Sequence, residues 1–123
     1  MLARVLLIGG NPRDLQLIWA ALFQAGVALD AATTVDDALS LLRMTPYAAV
    51  IIDLDDRRQQ ALEECRRVRA TLGECTVPLI AISAWATQEE VQRSLRAGCD
   101  YYLTKPLDLQ QLGTLVRDLT PAA

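Results

Sequence analysis

Three apolar runs and one aromatic-aliphatic run each hand over to residues with distinctive chemistry. Arg4-Val5-Leu6-Leu7-Ile8 leads into Gly9-Gly10, Ala48 to Ile52 into Asp53, Pro78 to Ile82 into Ser83, and Asp100 to Leu103 into Thr104-Lys105-Pro106. An aspartate held at a rigid strand end can attack a phosphoryl donor, and a lysine opposite it can neutralise charge on the phosphoryl oxygens. A hydroxyl such as that of Ser83 can hydrogen-bond the product. Singly these residues say little, because Asp and Lys-Pro are ordinary in turns. Their order on successive strand ends is far more specific.

Those ends must be brought together by the elements that carry them. Continuous apolar runs indicate strands covered on both faces, and Leu29 to Ala32 adds a further, weaker strand. Between the runs, Leu15, Ile18, Trp19 and Leu22 share one helical face, as do Val35, Ala38, Leu39 and Leu42, and Leu112, Leu115, Val116 and Leu119. Leu62, Cys65, Val68 and Leu72 form a less regular stripe. Asn11-Pro12, Thr87 with Glu90 and Asp108 with Gln111 mark helix starts, while Gly26 and Gly98 mark ends. Fivefold strand and helix alternation predicts a parallel sheet with right-handed crossovers and helices on both faces. Ligands then bind beyond the carboxyl ends of the strands, where strand order reverses. The residues after Ile8, Ile52, Ile82 and Leu103 are therefore expected to meet.

Composition narrows the classes. The chain has 123 residues, 52% of them hydrophobic, which suits one domain with a core that needs neither disulfide nor metal. Residues 1–123 read as that domain, with 120–123 either starting a linker or ending the chain. The net charge of −3 comes without a basic run, and Arg57-Arg58 and Arg66-Arg67 read as solvated helix charge. Direct nucleic-acid binding and membrane association are not expected. Three cysteines without a Cys-x-x-Cys, and no signal pattern at the start, point to the cytoplasm, with Cys65 and Cys99 as small buried residues. The absence of histidine removes Ser-His-Asp and Cys-His nucleophile systems, so any metal would need oxygen ligands.

At this point the chain resembles the response regulator receiver domain over essentially its whole length. The matching stretches are Val50-Ile51-Ile52-Asp53, Val77 to Ala84, and Ala97-Gly98-Cys99-Asp100-Tyr101-Tyr102-Leu103-Thr104-Lys105-Pro106, the last being the most specific. The resemblance implies a flavodoxin-like α/β fold, a doubly wound five-stranded parallel sheet in the order 2-1-3-4-5. It implies Asp53 as phosphoacceptor, Ser83 as switch hydroxyl, Tyr102 as a rotating aromatic, Lys105 as the lysine that senses the phosphoryl group, and a cis bond before Pro106. It also implies a histidine kinase, an output domain or another receiver as partner, and no catalytic residues in the enzymatic sense.

Two departures shape the expected function. Gly9 and Gly10 stand where the family places the acidic pair that holds Mg2+, and magnesium is usually held by one or two carboxylates plus phosphate. Asp53 then remains alone from the usual acid cluster, with the Asp55 backbone carbonyl as a further ligand implied by the resemblance. No cofactor, or weak Mg2+, is expected, together with a resting salt bridge from Lys105 to Asp53. The loop after Asp53 differs as well, reading Leu54-Asp55-Asp56-Arg57-Arg58 without an early glycine. Asp55 or Asp56 can either turn inward to replace a lost ligand or favour the start of the third helix through its dipole. The leading reading is a pseudo-receiver acting as an interaction module; the alternative is a working phosphoacceptor helped by Asp55 or Asp56.

Remoter readings are weaker. Asp53-Leu54-Asp55 resembles the nucleophile pair of haloacid-dehalogenase-like phosphatases, but Asp56-Arg57 follows where that family has Gly-Thr, and the chain lacks room for the larger fold. Gly9-Gly10-Asn11-Pro12 is too short for a P-loop, and a tight turn explains it. Trp85 either caps the site or docks a partner, or lies over its own loop. Tyr101 and Tyr102, with Arg93, Arg96 and Arg117, lie on the fourth-helix, fifth-strand, fifth-helix face that receiver-like domains often use to dimerise, so the resemblance implies a homodimer there, Tyr and Leu contacts supplying most of its affinity.

Overall fold

Side chains along a strand alternate between the two faces of its sheet, and in this chain both sets are apolar. The computed structural model describes residues 2–55, 58–73 and 77–120, with 58 and 59 as backbone only. In chain order its elements are β1 (Arg4–Ile8), α1 (Pro12–Gln24), β2 (Ala28–Ala32), α2 (Val35–Met44), β3 (Ala49–Asp53), α3 (Arg58–Leu72), β4 (Leu79–Ser83), α4 (Gln88–Arg96), β5 (Tyr101–Thr104) and α5 (Leu109–Leu119). The strands form one parallel sheet in the order β2-β1-β3-β4-β5. This is the parallel sheet expected from the alternation of elements, in the doubly wound, flavodoxin-like order that the resemblance implied.

The alternation divides the core in two. Leu6, Ile8, Val50, Ile52, Leu79 and Ala81 pack with Val35, Ala38 and Leu39 of α2 and Ala61, Cys65 and Val68 of α3. Val5, Leu7, Ala49, Ile51, Ile80 and Ile82 pack with Ile18, Ala21 and Leu22 of α1 and Leu112 and Val116 of α5. Each fully buried aliphatic side chain of this kind contributes about 1.5–3 kcal/mol through removal from water. That double coverage is why the central strands read as unbroken apolar runs.

Local signals place the helices. Asn11, Thr34, Thr87 and Asp108 are N-caps whose side chains accept from the backbone N–H of Asp14, Asp37, Glu90 and Gln111. Pro12 occupies the first position of α1. Gly26 and Gly98 follow the C-caps of α1 and α4 with φ of +76° and +118°.

Two expectations are corrected. Trp19 does not join Ile18 and Leu22 in the core; it is 54% exposed and stacks on Phe23, ring centroids 5.3 Å apart. It sits one residue round the helix from Ile18, beyond the stripe that the sheet can cover. Strands β3, β4 and β5 each begin and end one residue later than their apolar runs suggest, and β2 begins one residue earlier, at Ala28. Asp53 and Ser83 are thus the last paired residues of their strands, opposite Ile82 and Thr104 respectively. Backbone pairing is indifferent to side-chain polarity, so the ladder runs on into the site. Cys65 and Cys99 are buried as expected, Sγ to Sγ 3.4 Å. Asp56, Arg57, Cys75 and 121–123 lie outside the described residues.

Candidate functional site

The site lies at the carboxyl end of the sheet, where strand order reverses between β1 and β3. Asp53 ends β3 and is fully buried, Ser83 ends β4, and Lys105 follows β5 just before a cis Lys105-Pro106 peptide. The Lys105 ammonium lies 2.8 Å from Asp53 Oδ2, which is the resting ion pair expected from the sequence. Asp53, Ser83 and Lys105 therefore come together as their strand ends predict. Tyr102 stands beside them, its hydroxyl donating to the Trp85 backbone carbonyl.

Two further carboxylates share the same ammonium. Asp14 Oδ2 is 2.9 Å and Asp55 Oδ2 3.0 Å from Lys105 Nζ. Asp53 is still the one acid left of the family's usual cluster, but Asp14, which the sequence did not suggest, and Asp55, one of the two loop candidates, join it from other positions. Asp14 sits in the first turn of α1, where its N–H donates to Asn11 Oδ1 at 2.8 Å and its Oδ2 accepts from Asn11 Nδ2 at 3.0 Å. A first-turn acid ordinarily reads as a complement to the helix dipole. The signal available in the sequence was its place: the first turn of the helix that leaves β1 must lie against the end of β3.

Asp55 turns inward rather than toward the start of α3. Its Oδ1 accepts from the Ser83 hydroxyl at 2.7 Å, and the Ala84 N–H reaches Oδ2 at 3.0 Å and Oδ1 at 3.2 Å. Its own N–H donates to Asp53 Oδ1 at 2.9 Å. Trp85 N–H donates to Ser83 Oγ at 3.0 Å, which orients that hydroxyl. The Ala84 amide is a part of the site that sequence reasoning missed, since a backbone donor leaves no mark on residue type.

Electrostatics follow from this packing. Burial works to lower the Lys105 pKa, but hydrogen bonds to Asp53, Asp14 and Asp55 outweigh it and hold the ammonium above the ordinary lysine value. Burial pushes Asp55 up, yet the bonds from Ser83, Lys105 and Ala84 prevail and leave it below the usual carboxylate range. Tyr102 is raised, chiefly by burial.

Gly9 and Gly10 take φ of +80° and +92°, a left-handed turn that L side chains rarely adopt. A Cβ on Gly10 would lie 3.6 Å from Asp53 Oδ2. The expected tight turn is therefore present beside Asp53. Asp14, Asp53 and Asp55 offer the hard oxygens that magnesium prefers, but one oxygen of each is engaged by the Lys105 ammonium. Among the described residues no group of three or more His, Cys, Asp or Glu is placed to hold a metal ion. As arranged, these oxygens converge on the Lys105 ammonium, which takes the place that a magnesium ion would need.

The outer candidates lie on the surface. Trp85 is 48% and Tyr101 38% exposed. Arg93 pairs with Glu89 one turn back along α4, Arg96 Nε donates to the Gln92 carbonyl at 3.4 Å, and Arg117 lies exposed in the last turn of α5. Among the described residues no helix is long and apolar enough to cross a membrane.

Comparison with known proteins agrees with this geometry. The family model for the response regulator receiver domain matches residues 5–117. An uncharacterised 14.6 kDa protein of Leptolyngbya boryana is 32% identical over 113 residues, covering 92% of this chain and 86% of that one. The sensor protein GacS of Pseudomonas syringae pv. syringae is 31% identical over 98% of this chain, which spans only 14% of GacS. Among solved structures, the receiver domain of sensor histidine kinase PA1611 from Pseudomonas aeruginosa superposes with a TM-score of 0.82 at 25% identity, covering 97% of this chain and 98% of that one. That structure has a magnesium ion coordinated in its active-site cleft. A response regulator from Thermotoga maritima shares the fold, with a TM-score of 0.84 at 21% identity over 97% of this chain and 98% of that one.

Proposed function

Because the chain belongs to the response regulator receiver domain family of two-component signalling, we propose that it is a pseudo-receiver, a protein-interaction module with weak or absent Mg2+-dependent phosphorylation at Asp53. Receiver domains are signalling modules, and in this reading Asp53 holds the phosphoacceptor position, Ser83 the switch hydroxyl, and Tyr102 and Lys105 the sensing positions. One observation carries it: the Lys105 ammonium stands within 3.0 Å of a carboxylate oxygen of each of Asp14, Asp53 and Asp55, beside a Gly9-Gly10 turn that brings no acid. An Asp53 carboxylate already paired in this way is a poorer nucleophile, and a divalent cation would have to displace the ammonium on which the three carboxylates converge.

The partners we propose are a histidine kinase, an output domain or another receiver, in the cytoplasm. The chain spans 14% of GacS and 13% of the histidine kinase BarA of Escherichia coli, proteins in which a matching segment is joined to much longer sequence. A homodimer through α4, β5 and α5 is the further expectation, with Tyr101 at its centre. The second reading, a working phosphoacceptor, is favoured by the inward turn of Asp55, which brings an extra carboxylate to the site.

Intact-mass analysis after incubation with acetyl phosphate, with and without Mg2+ and with Asp53→Asn as control, separates the two. We expect little or no adduct under conditions that modify an ordinary receiver. A strong magnesium-dependent adduct absent from the Asn variant would establish the working switch instead.

A further inference from the structure

Three donors of different origin converge on one side chain. The Ser83 hydroxyl from the end of β4, the Ala84 amide from the following loop and the Lys105 ammonium from beyond β5 all bind the Asp55 carboxylate, at 2.7, 3.0 and 3.0 Å. A hydroxyl, a backbone N–H and an ammonium aimed at one point form an oxyanion site by any chemical reading. Its present occupant is an anion of the chain itself.

We propose that Asp55 is a built-in competitor at the phosphoryl-type site, its carboxylate holding the Ser83, Ala84 and Lys105 donors so that a tetrahedral oxyanion of the phosphate class enters only when it leaves. This rests on reading Asp53, Ser83 and Lys105 as one phosphoryl-type site. A carboxylate offers two oxygens to the three donors, with Oδ2 shared between Ala84 and Lys105 and Oδ1 between Ser83 and Ala84. A phosphate offers one oxygen to each. Both carry negative charge and need the same donors, so occupancy is exclusive.

Occupancy by Asp55 also pins the loop after β4. Ala84 is held to Asp55, Trp85 N–H to Ser83 Oγ, and the Trp85 carbonyl accepts from the Tyr102 hydroxyl. The internal carboxylate thus links the site to Tyr102 and to the face that carries Tyr101. Because Asp55 is tethered, its local concentration is high, and a free anion binds only in proportion to the fraction of molecules in which the site is vacant.

The test is a titration of the full 15N-labelled chain with inorganic phosphate at constant ionic strength, following the Ala84 and Trp85 amides in wild type, Asp55→Ala and Asp55→Asn. We expect saturable shifts at both amides in Asp55→Ala, and binding at least about tenfold weaker in wild type, the effect of a site vacant a tenth of the time or less. Equal responses in wild type and Asp55→Ala, or no saturable shift in Asp55→Ala, overturn the proposal. Should Asp55→Ala fail to fold, Asp55→Asn keeps the side-chain shape without the charge and must show the same ordering. No covalent adduct enters these readouts, so a chain that never phosphorylates Asp53 can pass and one that does can fail.

Discussion

At Lys105, one ammonium answers three carboxylates, and the energetic weight of that arrangement differs from that of the other ion pairs. Arg66 with Glu63 and Arg67 with Asp36 are solvent-exposed and contribute about 0–1 kcal/mol each. The Lys105 cluster is largely buried, with Asp53 1% exposed. Its linkage to pH has a definite sign. Asp55 lies below its ordinary pKa in the folded protein, so its contribution is present above the unfolded value of about 3.9 and is lost as pH falls through the folded value. Asp30, held down by hydrogen bonds from Arg4 and Tyr47, adds to the same acid limb. Lys105 and Tyr47 are raised, Tyr47 to about 12 by burial and by Asp30, so their contributions are full below the unfolded values near 10 and fall away above them. Urea midpoints should therefore form a plateau from about pH 5 to about pH 10. Asp55→Asn should show a shallower acid limb; an acid limb identical to wild type would mean that Asp55 is not held as described.

Elements meet at the turn between α4 and β5. The Arg69 guanidinium of α3 donates to the Gly98 carbonyl and to the Val77 carbonyl, and lies 2.6 Å from Asp100, tying α3 to the entry of β4 and β5. Gly98 has φ +118°, and a Cβ there would lie 2.9 Å from Arg69 Cβ. Gly26, after α1, has φ +76° and nothing within 4 Å of its virtual Cβ. Both positions favour glycine, but only one is also crowded. Gly98→Ala should cost about 2–4 kcal/mol, combining backbone strain with displacement of Arg69, and Gly26→Ala about 1 kcal/mol. Chemical denaturation measures both, and equal losses would remove the role given to the Arg69 contact.

For the whole molecule, two apolar layers cover the sheet and leave α4, β5 and α5 facing outward beside the site. Trp19 and Phe23 stand exposed on α1, on the other side of the sheet from α2 and α3. Sedimentation velocity across a wide concentration range tests the proposed dimer. We expect a concentration-dependent rise in sedimentation coefficient that Tyr101→Glu abolishes, and an invariant coefficient in wild type would exclude the α4-β5-α5 dimer. Surface charge alone would not sustain it, because the Arg93–Glu89 pair is satisfied within its own helix.

Contiguous residues carried a large share of this result. Runs such as Val50-Ile51-Ile52, caps such as Thr87 and Asp108, and the order of Asp53, Ser83 and Lys105 on successive strand ends could be read directly, because period, capping and crossover handedness arise from neighbouring residues and backbone chirality. Three-dimensional packing settled the rest. Trp19 and Ile18 are both apolar and adjacent, and only the position of the sheet decides which is covered. Asp14 and Asp55 each have an ordinary local explanation near a helix start, and their aim toward Lys105 follows from donors on distant strands. A carboxylate turns toward whichever hydroxyl, amide or ammonium the fold brings within reach, and no stretch of neighbouring residues contains that information.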